Sequence, residues 1–141
     1  MVEDNPADAI ILQTAFEQST VRVQITHIES GEEALKYLSE NTISGKHDLV
    51  LLDLSLPKVS GFEVLEALRA NDELKGLPVV VMSGAEDPAE IEYCYRAGAN
   101  SYIIKPPRLD ETLLLIEHLA TYLFKFVRLP SNPQGRRAMT T

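Results

Sequence analysis

Four short strand-type runs, at 21–28, 48–52, 78–82 and 101–104, alternate with stretches whose apolar residues recur every three or four positions. Strands separated by helices cannot pair as hairpins, so the alternation demands a parallel sheet with helices over both faces. The helix starts fall in step with it. Asn5-Pro6 precedes Ala7, Ser30 stands three residues before Glu33, Ser60 three before Glu63, and Asp87-Pro88 just before Glu90. Gly98, after Tyr95-Arg96-Ala97, reads as a left-handed helix stop, and Pro106-Pro107 keeps the last strand from running into the last helix.

The last helix is expected from near Asp110 to about Val127, with Leu113, Ile116, Ala120, Leu123 and Val127 toward the core. A second apolar stripe, Leu115, Leu119, Tyr122 and Phe126, runs beside that face, and one sheet face cannot cover both. A dimer or partner contact is the reading preferred for the stripe; the alternative is that it packs under its own segment Arg128-Leu129-Pro130. From Ser131 to Thr141 no apolar periodicity remains, and a largely flexible extension over 128–141 is expected after a domain at 2–127.

The expected architecture is α/β, a doubly wound parallel sheet of strand order 2-1-3-4-5. Its first strand is internal, yet only Met1 and Val2 precede the acidic pair Glu3-Asp4. That strand is therefore truncated or very short, with its neighbours at risk of unpaired backbone groups.

At 141 residues the chain has room for one core. A net charge of -8, from 21 acidic and 13 basic residues, argues against attraction to nucleic acid or an anionic membrane and leaves proteins as the expected partners. Cys94 is the only cysteine, and His27, His47 and His118 are too dispersed for a zinc signature, so these residues are read as structural. No apolar run reaches the roughly 20 residues needed to span a bilayer, and a cytoplasmic setting is expected.

Three of these runs and the short Met1-Val2 stretch each end on a reactive side chain at what becomes the same sheet edge: Asp53, Ser83, Lys105 and Glu3-Asp4. Alone, each has a plain reading: a helix N-terminal charge, a turn former or a turn hydroxyl. Together with Pro57, Gly61, Ser83-Gly84, Ala97-Gly98-Ala99, Tyr102 and Lys105-Pro106, they resemble the receiver domain of two-component response regulators, a flavodoxin-like fold, over residues 2 to about 127.

The resemblance implies that Asp53 takes a phosphoryl group from a histidine kinase phosphohistidine. It implies Mg2+ held by Glu3, Asp4, Asp53 and the backbone carbonyl of Ser55, with Asp4 preferred over Glu3 as direct ligand; oxygen donors suit that ion. Lys105 and the metal would neutralise the transferred group, Ser83 would donate to a phosphoryl oxygen, and Tyr102 would be the aromatic switch altering the surface of the fourth helix, fifth strand and fifth helix. The Lys105-Pro106 bond is expected to be cis. Ser55 and Ala85, at positions that modulate acyl-phosphate hydrolysis in that family, carry no strong base, which implies a long-lived phosphoryl group.

Within the family, Pro6-Ala7-Asp8 after the acidic pair, the turn Asp53-Leu54-Ser55-Leu56-Pro57 and the ending Phe126-Val127-Arg128-Leu129-Pro130 resemble the small stand-alone regulators paired with bacterial phytochrome histidine kinases. A light-regulated kinase and a homodimer through the fourth helix, fifth strand, fifth helix and C-terminal extension follow from that likeness. The chain is then a signalling protein rather than an enzyme acting on separate substrates. The alternatives are a dimeric scaffold or docking module that takes no phosphate, and a phosphate sink or shuttle in a phosphorelay. A phosphatase lacks the second aspartate where Ser55 stands.

Overall fold

Two neighbouring parallel strands, β1 (Val50–Asp53) and β2 (Val79–Ser83), are buried along their whole length, which is why both read as unbroken apolar runs rather than alternating ones. A third, β3 (Ser101–Ile104), pairs in parallel with the other side of β2 and is only half-buried, as its outer edge carries no further strand among the described residues. The computed structural model describes residues 1–41 and 47–130. Of the extension expected over 128–141, the part from Ser131 onward lies outside the described residues, while Leu129 packs against the rest of the chain.

Side chains of successive strand residues leave opposite faces and meet different helices. Val50, Leu52, Val79, Val81 and Tyr102 pack with Ala34 and Leu38 of α2 (Gly31–Glu40), Val64, Leu65 and Leu68 of α3 (Gly61–Ala70), and Cys94 of α4 (Pro88–Arg96). Leu51, Val80, Met82 and Ile103 pack instead with Leu12, Ala15 and Phe16 of α1 (Pro6–Gln18) and Ile116 and Ala120 of α5 (Leu109–Thr121). The caps read from the sequence are in place. The Asn5 side chain accepts from Ala7 and Asp8, Ser30 from Glu33, and Asp87 from Ala89, and Ser60 with Glu63 forms a reciprocal capping box.

The first strand is very short. Val2 alone bridges Ile28 on one side and Leu52 on the other, both in parallel, which gives the order 2-1-3-4-5. Its neighbours still find partners: Val2 N–H donates to Leu51, Asp53 N–H to Val2, Glu3 N–H to Ile28, and Ile28 N–H to Met1, all between 2.8 and 3.0 Å. The strand expected at 21–28 pairs only at Ile28, because a partner of such length offers no second rung. It keeps an edge-strand pattern, with Val21 buried, Val23 and Ile25 half-buried, and Arg22, Gln24 and Thr26 exposed.

Three further expectations change. The last helix stops at Thr121 and continues as a π-helical turn, Tyr122–Phe126, after which Val127 is extended. The stripe Leu115, Leu119, Tyr122 and Phe126 divides in two. Leu115, Leu119 and Leu129 pack against the cluster under α1 and α5, while Tyr122 and Phe126 are 61% and 75% exposed. The reason is that α5 packs on the sheet and also against α1, so it needs two apolar faces within this chain alone. The Lys105-Pro106 bond is trans, since the described residues contain no cis peptide bond. Lys105 N–H continues the pairing to β2 by donating to Ser83, 2.8 Å, and its side chain reaches the sheet edge from there.

At the far end of the sheet one side chain makes several ties. Arg69, on the last turn of α3, donates to the carbonyls of Gly98 (2.8 and 2.9 Å), Leu77 (2.8 Å) and Lys75 (3.0 Å) and to Asn100 Oδ1 (3.2 Å), tying α3 to the loops that enter β2 and β3. Gly98 has φ of 103°, and a Cβ there would lie 2.8 Å from Arg69 Nε, so both its turn and its neighbour require glycine. Replacing Arg69 with Ala should lower unfolding free energy by about 2–3 kcal/mol in urea titration, as expected when charged donors leave several carbonyls unpaired. A loss below about 0.5 kcal/mol would show that water replaces the clamp.

Candidate functional site

The C-terminal ends of Val2, β1, β2 and β3 lie side by side, and each delivers its terminal side chain to one place. Asp53, 5% exposed, closes β1, and its Oδ1 accepts from Ser55 N–H at 3.2 Å. Glu3, 2% exposed, and the half-buried Asp4 follow the Val2 bridge. One oxygen from each of Glu3, Asp4 and Asp53 lies within 4.8 Å of the others. The approach of α3 to β1 is equally close. Gly61 N–H donates to Leu54, and a Cβ at Gly61 would fall 2.2 Å from the Asp53 carbonyl, so only glycine allows the helix to start there.

Lys105 reaches this cluster from the end of β3. Its Nζ lies 2.9 Å from Glu3 Oε2, 3.1 Å from Asp8 Oδ2 and 3.6 Å from Asp53 Oδ1. Burial alone would lower the Lys105 pKa, but the hydrogen bond to Glu3, the charge of Asp53 and the bond to Asp8 reverse this and hold it above its ordinary value. The ammonium is therefore a fixed positive charge. Glu3 is pushed up to about 7, first by burial and then by the Asp53 charge, against the hydrogen bond and charge of Lys105. One ammonium does not balance this many acidic groups, and a hard divalent cation fits the oxygen donors that remain.

Ser83 is buried beside Asp53 on the next strand, and its Oγ accepts from Ala85 N–H at 3.2 Å. Tyr102 is half-buried on the α2–α3–α4 side. Its hydroxyl sits 2.9 Å from the Ala85 carbonyl and 3.0 Å from Glu90 Oε1, two acceptors sharing one proton. Burial raises the Tyr102 pKa, a neighbouring Ser83 hydroxyl opposes the rise, and Glu90 adds to it. The Tyr102 N–H, on the free edge of β3, donates to the Tyr95 hydroxyl of α4 at 3.1 Å. The remainder of the stripe from α5, Tyr122 and Phe126, takes no part in this cluster.

Two residues at the site were not anticipated. Asp8 pairs with Lys105, and the available signal was its position four residues after Asp4, on the first turn of a capped helix. His27, read as structural, donates from Nε2 to the Glu3 carbonyl at 2.8 Å and so braces the acidic pair through its backbone. Cys94 is fully buried, and burial followed by the Glu90 charge pushes its thiol up to about 11, in keeping with a core role.

With this geometry, comparison with known proteins is decisive as to class. Residues 1–117 match the response regulator receiver domain family, and the chain belongs to it. Among curated relatives, the probable methanogenesis regulatory protein FilR2 of Methanothrix harundinacea is 34% identical, covering 92% of this chain and 85% of its own. The response regulator Rcp1 of Synechocystis is 30% identical, covering 93% of this chain and 91% of its own. The crystal structure of phosphorylated RcpA, a cyanobacterial phytochrome response regulator, superposes with a TM-score of 0.85 at 35% identity, covering 92% of this chain and 95% of that one. Rcp1 in its Mn2+-bound form gives 0.83 at 30% identity, covering 92% and 96%. The doubly wound fold and the acidic pocket are those of receivers. No helix among the described residues is long and apolar enough to cross a membrane.

The raised value of Glu3 predicts its own pH signature. Since the folded value, about 7, lies above the ordinary 4.5, the stability Glu3 contributes is fully present below about 4.5 and is lost as pH rises through 7. Carbon-13 NMR of the Glu3 carboxyl in chelated buffer should show a midpoint near 7, and Lys105→Met should move it higher. A midpoint near 4.5 in the unmodified protein would contradict the burial and charge argument.

Proposed function

We propose that Asp53 accepts a phosphoryl group from the phosphohistidine of a histidine kinase, and that the chain signals the result through protein contacts. The observation that carries this reading is the Lys105 ammonium held within 3.6 Å of Asp53 in a cluster with the buried Glu3 and the half-buried Asp4. In the transfer, an Asp53 carboxylate oxygen bonds to phosphorus as the phosphorus–nitrogen bond breaks and its electron pair returns to the imidazole. Charge spreads over the phosphoryl oxygens in such a loose transition state, so positioned cations contribute more than covalent chemistry.

Lys105 is one such cation. The residues that would hold Mg2+ are Glu3, Asp4, Asp53 and the Ser55 carbonyl, and the ion supplies the second positive charge when bound. The Ser83 hydroxyl, whose oxygen accepts from Ala85, keeps its proton available for a phosphoryl oxygen on Asp53. That bond would draw Ser83 from its neighbour Tyr102, whose hydroxyl is held through Ala85 and Glu90 on the same loop and helix, and so alter the α4 and β3 surface. Neither Ser55 nor Ala85 supplies a base for hydrolysis, which favours a phosphoryl lifetime longer than seconds.

The name of RcpA, a cyanobacterial phytochrome response regulator, supports a phytochrome histidine kinase as phosphodonor, and the cytoplasm is the setting proposed with it. Phosphoryl uptake by Asp53 distinguishes this reading from a scaffold that takes no phosphate. Incubation with acetyl phosphate and Mg2+ should add one phosphoryl group by intact mass, none in Asp53→Asn, and about a hundredfold more slowly in Lys105→Ala. A folded protein with no addition would overturn the proposal.

A homodimer is the second part of the reading, supported by the exposure of Tyr122 and Phe126 at the end of α5 and of Tyr95 and Ile104 along α4 and β3. Sedimentation should give a dimer that Tyr122→Glu with Phe126→Glu converts to monomer. A monomer in the unmodified protein, with and without phosphate, would refute it.

A further inference from the structure

Lys105 is placed by its acceptors rather than by close packing. Its side chain lines a cleft of about 120 Å³, between the first turns of α1, the loop 105–108 and the start of α5, whose lining includes Ile11, Pro106 and Leu109. A four-carbon stem beside open space can swing, so the ammonium settles where hydrogen bonds are best. Those bonds go to Glu3 at 2.9 Å and Asp8 at 3.1 Å; Asp53, at 3.6 Å, lies beyond hydrogen-bond length. Asp8 can impose this because it sits on a rigid element: its own N–H donates to the Asn5 cap, which fixes the first turn of α1.

We propose that Asp8 is a positioning residue for Lys105, drawing the ammonium off Asp53 in the resting protein so that the carboxylate stays free to attack phosphorus. Without Asp8, Lys105 closes the remaining gap to Asp53, turns their 3.6 Å ion pair into a direct hydrogen bond and occupies the lone pairs that the transfer needs. The inference rests on the phosphoacceptor role proposed above for Asp53.

The test compares Asp8→Asn and Asp8→Glu with the unmodified chain, using acetyl phosphate as donor at saturating Mg2+ and following uptake by intact mass. Asp8→Asn should lower the maximal rate by about tenfold or more, the equivalent of one charge-assisted hydrogen bond, with the half-saturating donor concentration unchanged. Asp8→Glu should restore the rate, a rescue that a merely structural role would not give, and melting curves establish that both variants fold. An Asp8→Asn rate equal to or above that of the unmodified chain overturns the inference, as does an Asp8→Glu variant no faster than Asp8→Asn. If the unmodified chain takes up no phosphate, the phosphoacceptor reading fails and this inference falls with it; uptake by the unmodified chain with no effect at Asp8 removes the inference alone.

Discussion

A single ammonium among buried carboxylates is the constraint on which the site depends. Opposite charges about 4 Å apart attract by about 4 kcal/mol at an effective dielectric of 20, and like charges repel by as much, so one lysine cannot quiet Glu3, Asp4, Asp8 and Asp53 together. Burial first, and then the Asp53 charge, push the Glu3 pKa up to about 7 despite its bond to Lys105. The excess of acidic groups over the one ammonium suits the pocket to a divalent cation and, on the function proposed, leaves Lys105 to meet a phosphoryl group. Electrostatic strain at this edge and hydrogen-bonded order at the other, where Arg69 clamps the loops before β2 and β3, divide the domain into a reactive end and a stable one.

Most of this was legible because parallel strands put their last residues at one edge. Asp53, Ser83 and Lys105 each close an apolar run, and the caps at Asn5, Ser30, Ser60 and Asp87 give the helices their starts. These are local rules, and the fold agrees with them. What escaped the sequence was tertiary. A one-residue strand at Val2 has no periodicity to detect, yet it completes the sheet and sets Glu3 and Asp4 in place. The stretch 21–28 has the composition of a strand and lacks a partner long enough to pair with it.

The last helix shows the same limit from the other side. An apolar stripe predicts burial but does not say by what. Leu115 and Leu119 are covered within the chain, in a cluster shared by α1 and α5, whereas Tyr122 and Phe126 are left exposed at the π-helical turn. Asp8 was missed for a related reason. Its acidic neighbours Glu3 and Asp4 carry the motif, and only the folded first turn of α1 brings a further carboxylate to Lys105.

On the function proposed, charge placement of this kind directs a phosphoryl group to one oxygen-bearing residue. Reductive trapping of the acyl phosphate with tritiated borohydride, followed by peptide mapping, reads that destination directly. Label recovered as homoserine at position 53 is the result predicted. Label at another acidic residue, Glu3, Asp4 or Asp8 included, or no label from a protein that has gained phosphate, would contradict the assignment of Asp53 as the acceptor.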